Sequence, residues 1–176
     1  VALSLTVSAT DYDTIWKKYC EAVEKDMYQD AQEQLQKIEK LAEKDPVLAA
    51  VYYTIKQDYD KALANPDLLA REKSTPWKRI INKGADDALW NNDLLSIIGH
   101  QAGRYGFLKE YYDSIGNRKA ACVELFFEVR NLDISNDELS MTHKRQMLES
   151  GMQRYKDIEE VALLARGYGF EVIGNE

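Results

Sequence analysis

The chain is 176 residues long, 45% hydrophobic and 30% charged, with a formal net charge of −7. It is long enough to bury a core, normally as one domain and at most two, and its composition is far from that of a disordered chain. The acidic balance excludes generic nucleic-acid binding, which needs clustered Lys and Arg against phosphates, and no stretch is apolar for the ~18 residues of a membrane span.

Residues 1–10, VALSLTVSAT, are apolar with small hydroxyl residues, and Val7-Ser8-Ala9 presents small residues where a signal peptidase reads. They read as the remnant of a secretory signal or, alternatively, as an N-terminal arm packing on the helices. No cysteine follows the presumed cut, so no lipid anchor is expected. Residues 11–176 read as a single helical repeat-like domain, because no segment alternates with period two.

Tyr12, Ile15, Trp16, Tyr19 and Val23 make the first apolar stripe, with Lys17, Lys18, Glu21, Glu24 and Lys25 opposite. After a break at residues 26–30, Ala31, Leu35, Ile38 and Leu41 line a highly charged second helix. Asp45-Pro46 opens a third, with Asp as N-cap and Pro at the first helical position. Its stripe runs from Val47 or Leu48 through Val51, Tyr52 and Ile55 to Tyr59, and Asn65-Pro66 stops it. A short helical turn is expected at residues 67–70. Ser74-Thr75-Pro76 then opens a helix with Trp77, Ile80 and Ile81 inward and Lys78, Arg79 and Lys83 on a solvated face.

Residues 90–129 hold three further stripes: Leu94, Leu95, Ile98, Ala102 and Tyr105; Leu108, Tyr111, Tyr112 and Ile115; and Ala121, Cys122, Leu125, Phe126 and Val129. Gly106 and Gly116 fall where a helix ends in a left-handed residue. Ser135 with Glu138 forms a capping box before a helix bearing Met141, Leu148, Met152 and Tyr155, and a last helix starts at Asp157. Such faces stay out of water only by stacking on neighbours, so the fold class is all-α, built of stacked antiparallel helix pairs. Tyr105, Leu108, Tyr112, Gly116, Ala121 and Leu125 fit the spacing of a tetratricopeptide repeat, although Glu128 stands where that repeat wants a small residue. The first pair fits less well, with Lys18 and Ala22 out of pattern, so the array is degenerate.

No catalytic constellation emerges. His100 and His143 lack metal-ligand spacing, there is no phosphate loop, dinucleotide fingerprint or nucleophile elbow, and no cofactor is expected. Asp86, Asp87 and Asp93 do not match a calcium loop and read as helix caps. Cys20 and Cys122 read as buried thiols, with a single long-range bridge as the alternative in an oxidising compartment.

Several segments resemble the N-terminal helical region of the large bacterial alpha-2-macroglobulin-like proteins. They are Tyr12-Asp13-Thr14-Ile15-Trp16-Lys17-Lys18, Ser74-Thr75-Pro76-Trp77-Lys78, Asn91-Asn92-Asp93-Leu94-Leu95 with Ile98-Gly99, and Glu110-Tyr111-Tyr112 with Gly116-Asn117-Arg118-Lys119-Ala120-Ala121-Cys122. Arg154-Tyr155-Lys156-Asp157-Ile158 adds to the likeness, which is scattered over residues 11–168. The resemblance implies a secreted or periplasmic bacterial protein whose relatives trap proteases with a bait region and, in some, a thioester. The chain carries no bait region or β-domains, and Cys122-Val123-Glu124-Leu125 lacks the Gly and Gln of a thioester motif.

The expected function is therefore a non-enzymatic protein-interaction module whose partner is a protein, the remainder of the same polypeptide included. In stacked helix pairs the first helix of each pair lines the concave face. That makes Lys17, Lys18, Glu21, Lys109, Glu110, Tyr111 and Asp113 the candidate partner-binding residues. The alternative is a glycan- or nutrient-binding component at the bacterial cell surface, with Trp16, Trp77, Trp90 and the tyrosines stacking on sugars. Most of these aromatics sit on apolar stripes, where packing accounts for them.

Overall fold

The structure is a computed structural model that describes residues 9–73, 93–131 and 138–158. Among these residues there are nine α-helices and no strand, so the all-α expectation holds. The expectations for residues 1–8, for the helix opened by Ser74-Thr75-Pro76, for Asp86 and Asp87, for Ser135 and for the helix beyond Ile158 lie outside the described residues. The chain divides into two compact units, residues 1–102 and residues 103–176.

The first unit holds α1 (Ala9–Glu24), α2 (Tyr28–Ala42), α3 (Pro46–Ile55), α4 (Tyr59–Ala62), α5 (Pro66–Arg71) and α6 (Leu94–Gln101). Successive helices from α1 to α4 pack pairwise, and α5 packs on α6. Trp16 and Cys20 of α1 are buried, as are Ala31, Leu35 and Ile38 of α2. Val23 lies outside instead, because the Met27 amide bonds back to the Ala22 carbonyl at 2.8 Å and puts Ala22 on the inside of the turn. Asp45 caps α3 as its sequence predicts, its carboxylate accepting from the Val47 and Leu48 amides at 3.0 and 3.2 Å. α3 stops at Ile55, ten residues before Asn65-Pro66, and Tyr59 opens a separate helix. Asn65 and Pro66 start α5, which extends the expected turn to six residues. Asp93 caps α6 by accepting from the Ser96 amide at 2.7 Å. All residues from Leu94 to Gly99 are buried, so α6 shows no stripe at all.

The second unit holds α7 (Tyr105–Ser114), α8 (Arg118–Arg130) and α9 (Glu138–Arg154). α7 and α8 form a tight hairpin through Leu108 and Tyr112 on one side and Ala121, Cys122, Leu125, Phe126 and Val129 on the other. Tyr105 stacks on Phe127 with ring centroids 5.8 Å apart. Ile115 is 52% exposed and so lies off the packing stripe it was expected to join. α9 packs on α8.

One turn recurs. Asp26, Gln57, Gly103 and Gly116 all have left-handed φ, between 55° and 78°. Each is followed directly by the N-cap of the next helix: Met27, Asp58, Arg104 and Asn117, with φ between −84° and −93° and ψ between 49° and 75°. At three of the four, the N-cap amide reaches back five residues to a carbonyl: Met27 to Ala22, Asp58 to Tyr53 and Asn117 to Tyr112, at 2.8 to 2.9 Å. This satisfies carbonyls a helix end leaves open and turns the chain into the next helix within three residues. Gly116 is in place as expected. Gly106 is not a helix end: Gly103 makes that turn, and Gly106 lies inside α7.

Candidate functional site

Gly106 explains how the hairpin tolerates Glu128. A Cβ at position 106 would stand 3.1 Å from the Glu128 carboxylate, so the glycine leaves the room into which that side chain folds. The carboxylate is met there by Lys109 Nζ at 2.6 Å, with both side chains about one-quarter exposed, at 24% and 26%. A charge stands where the repeat pattern asks for a small residue because its partner sits one turn along the facing helix.

A polar cluster surrounds Tyr155, the residue just past α9. Its ring is 1% exposed, and its hydroxyl donates to Asp113 of α7 at 2.9 Å. Arg154 bonds the same carboxylate at 2.7 Å. Arg118 of α8 donates to the Asp157 carboxylate and to the Arg154 carbonyl. The Arg118 and Arg154 guanidiniums also lie over the Tyr155 ring, 5.8 and 5.9 Å from its centroid. A buried ring gripped by two cations with its hydroxyl on a carboxylate is a strong positional constraint.

The electrostatics follow from this geometry. Burial, reinforced by the bond to Asp113, pushes the Tyr155 phenol far up, so it stays a donor. Burial likewise pushes the Cys122 thiol up to about 12, with Arg118 opposing and Asp113 adding to the effect. The bond from Arg118 holds Asp157 below the ordinary carboxylate range. Cys20 and Cys122 are both buried and outside any disulfide, which selects the packed-thiol reading over the bridge.

The candidate partner-binding residues divide between the units. Lys17 and Lys18 are exposed and Glu21 half-buried on α1 of the first unit. Lys109, Glu110 and Asp113 come together in the second unit, where with Ser114 and Arg154 they line an open cleft of about 450 Å³. A neighbouring cleft of about 390 Å³ has Leu125, Met147 and Gly151 among its lining, with His143, Lys109 and Arg154 beside them. Lys109 and Asp113 are engaged inside the unit by Glu128, Arg154 and Tyr155, whereas Glu110 is exposed and Tyr111 half-buried. Arg118, Arg154 and Asp157 escaped the sequence reading because their partners lie on other helices, beyond the reach of same-helix spacing rules. Tyr155 was placed on a stripe, but its hydroxyl's destination had no local signal.

Among the described residues, no group of three or more His, Cys, Asp and Glu is placed to hold a metal ion, and no helix is long and apolar enough to cross a membrane. No protein-family model, curated protein or solved structure matches the chain.

Proposed function

We propose that the chain is a protein-interaction module built from tetratricopeptide-like helix pairs, acting by binding and not by catalysis. The observation that carries this reading is an exposed apolar row that runs along α7 and onto its C-cap residue, Ile115. Phe107, Tyr111 and Ile115 follow one another at four-residue spacing, and the outer two are 38% and 52% exposed. Residues four apart share a helix face, and an exposed aromatic and aliphatic row of this kind is what a partner protein buries. The recurring three-residue turn supports the repeat-like part of the reading, since repeat arrays reuse one supersecondary unit. A secreted or periplasmic location, and kinship with the helical part of macroglobulin-like protease traps, are carried into the proposal by the sequence resemblance alone.

The test is a crosslinker placed at Ile115, followed by purification of the captured protein and a titration against the wild-type chain. Saturable binding that is lost in Phe107→Asp and Ile115→Asp, both still folded by circular dichroism, is the expected result. Binding unaffected by both changes removes the α7 row from the interface.

A further inference from the structure

Three of the four recurring turns carry a tyrosine directly after the N-cap: Tyr28, Tyr59 and Tyr105. Tyr59 and Tyr105 are half-buried, and Tyr105 stacks on Phe127. Tyr28 is 74% exposed. The N-caps differ in the same way. The side chains of Asp58 and Asn117 accept from the Lys61 and Ala120 amides. Met27 has nearly the same backbone angles but makes no side-chain cap bond, and it is 47% exposed. A methionine there forgoes the helix-end stabilisation that Asp or Asn gives, and side chains left in water gain little from burial. Folding accounts for neither residue.

Val23 completes the patch, so three of the five exposed large hydrophobic side chains among the described residues stand between positions 23 and 28. The bond from the Met27 amide to the Ala22 carbonyl closes this turn, and the Tyr28 hydroxyl lies 3.5 Å from the Asp26 carboxylate, so the ring folds back across it. The surroundings are acidic. From Glu21 to Glu33 there are five carboxylates and a single cation, Lys25, and all of them except the half-buried Glu21 are exposed.

We propose that the turn between α1 and α2 is a docking surface for a basic amphipathic segment of another protein, with Val23, Met27 and Tyr28 as its apolar floor and the carboxylates as its rim. Methionine adapts its shape to a partner, and tyrosine presents a large rigid face over which a partner's Lys or Arg lies favourably. The acidic rim complements such cations, and the net charge of −7 steers them toward the chain. This surface belongs to the first unit and the α7 row to the second, so neither reading rests on the other.

The experiment titrates the full chain with a short synthetic Leu/Lys amphipathic peptide and with its Leu/Glu counterpart, reading affinity by fluorescence anisotropy and location by NMR of the methionine methyls. Met27 is the single methionine of the first unit, and the other three are controls in the same molecule. The Leu/Lys peptide is expected to shift the Met27 methyl saturably and leave the others in place, while the Leu/Glu peptide shifts none. Tyr28→Ala should weaken binding about tenfold with Tm unchanged. Met27→Asn supplies the missing cap, so it should weaken binding while raising Tm by about 3 °C. Phe107→Asp and Ile115→Asp should leave this binding as it is, which separates it from the α7 row. Equal affinity in wild type, Tyr28→Ala and Met27→Asn overturns the proposal, as does a Leu/Glu peptide that binds as tightly. A Met27 methyl that shifts when the chain alone is concentrated gives the patch to a second copy and overturns it too.

Discussion

Gly151 of α9 stands so close to Leu125 of α8 that a Cβ on the glycine would lie 1.9 Å from Leu125 Cδ2, with two more atoms of that side chain at 3.0 Å. Leu125 is itself buried, so the contact sets how near the two helices come. Gly151→Val should therefore overpack the interface and cost about 2 kcal/mol in urea denaturation. Leu125→Ala should relieve it. The double variant is expected to be more stable than the sum of the single losses by at least ~0.5 kcal/mol, and strict additivity would show that the two side chains do not compete for the space.

The Lys109–Glu128 pair gives a second test. Lys109→Glu places two carboxylates together in a half-buried site and should cost about 1 kcal/mol, and Glu128→Lys in the same chain should recover most of it. Lys17→Glu and Lys18→Glu, on an exposed face, should change stability by less than ~0.5 kcal/mol. Equal effects at all three lysines would place Lys109 on open surface after all.

The recurring turn predicts opposite effects at two of its members. Gly116→Ala meets no atom within 4 Å, so its cost is backbone strain alone, about 1 kcal/mol. Gln57 carries that strain already, at φ 60°. Gln57→Gly removes it, less the entropy glycine adds to the unfolded chain, and should raise stability by up to about 1 kcal/mol. Thermal melts of the two variants should move in opposite directions.

Stability should fall at both ends of the pH scale for different reasons. Asp157 has a lowered folded value, set first by Arg118, so its contribution is present above the ordinary carboxylate range and is lost as the pH falls through that lowered value. Asp157→Asn should flatten the acid limb. Cys122 has a raised folded value of about 12, set first by burial. Its contribution is intact below the unfolded thiol value near 8.5 and is lost as the pH rises from there through the folded value, at up to about 1.4 kcal/mol per pH unit. Tyr155, raised in the same sense, adds to that loss at higher pH. Denaturation midpoints of Cys122→Ala should decline less between neutral pH and 10 than those of wild type.

Features that one residue imposes on its neighbours were legible in the sequence. Asp45-Pro46, Asp93 and Gly116 act through their own hydrogen bonds or φ values, and each stands where it was read, whereas Asn65-Pro66, expected to stop α3, opens α5 instead. The end of α3 was not legible, because nothing in a glutamine marks the left-handed conformation Gln57 adopts. α6 has no polar face, so its periodicity carried no information about which side packs. The charges at Lys109 and Asp113 looked like free surface because the groups that engage them, Glu128 and Tyr155, lie 19 and 42 residues further on.

Those separations also set an order of events in folding. The Gly116 turn brings α7 against α8 at the expense of three residues of loop, whereas the bonds between α9's end and the hairpin close segments of 39 and 42 residues. Short closures cost least entropy and come first. We therefore expect the hairpin to form first and α9 to dock on it afterwards. In stopped-flow measurements Gly116→Ala should slow refolding, and Arg118→Ala should leave refolding nearly unchanged and speed unfolding.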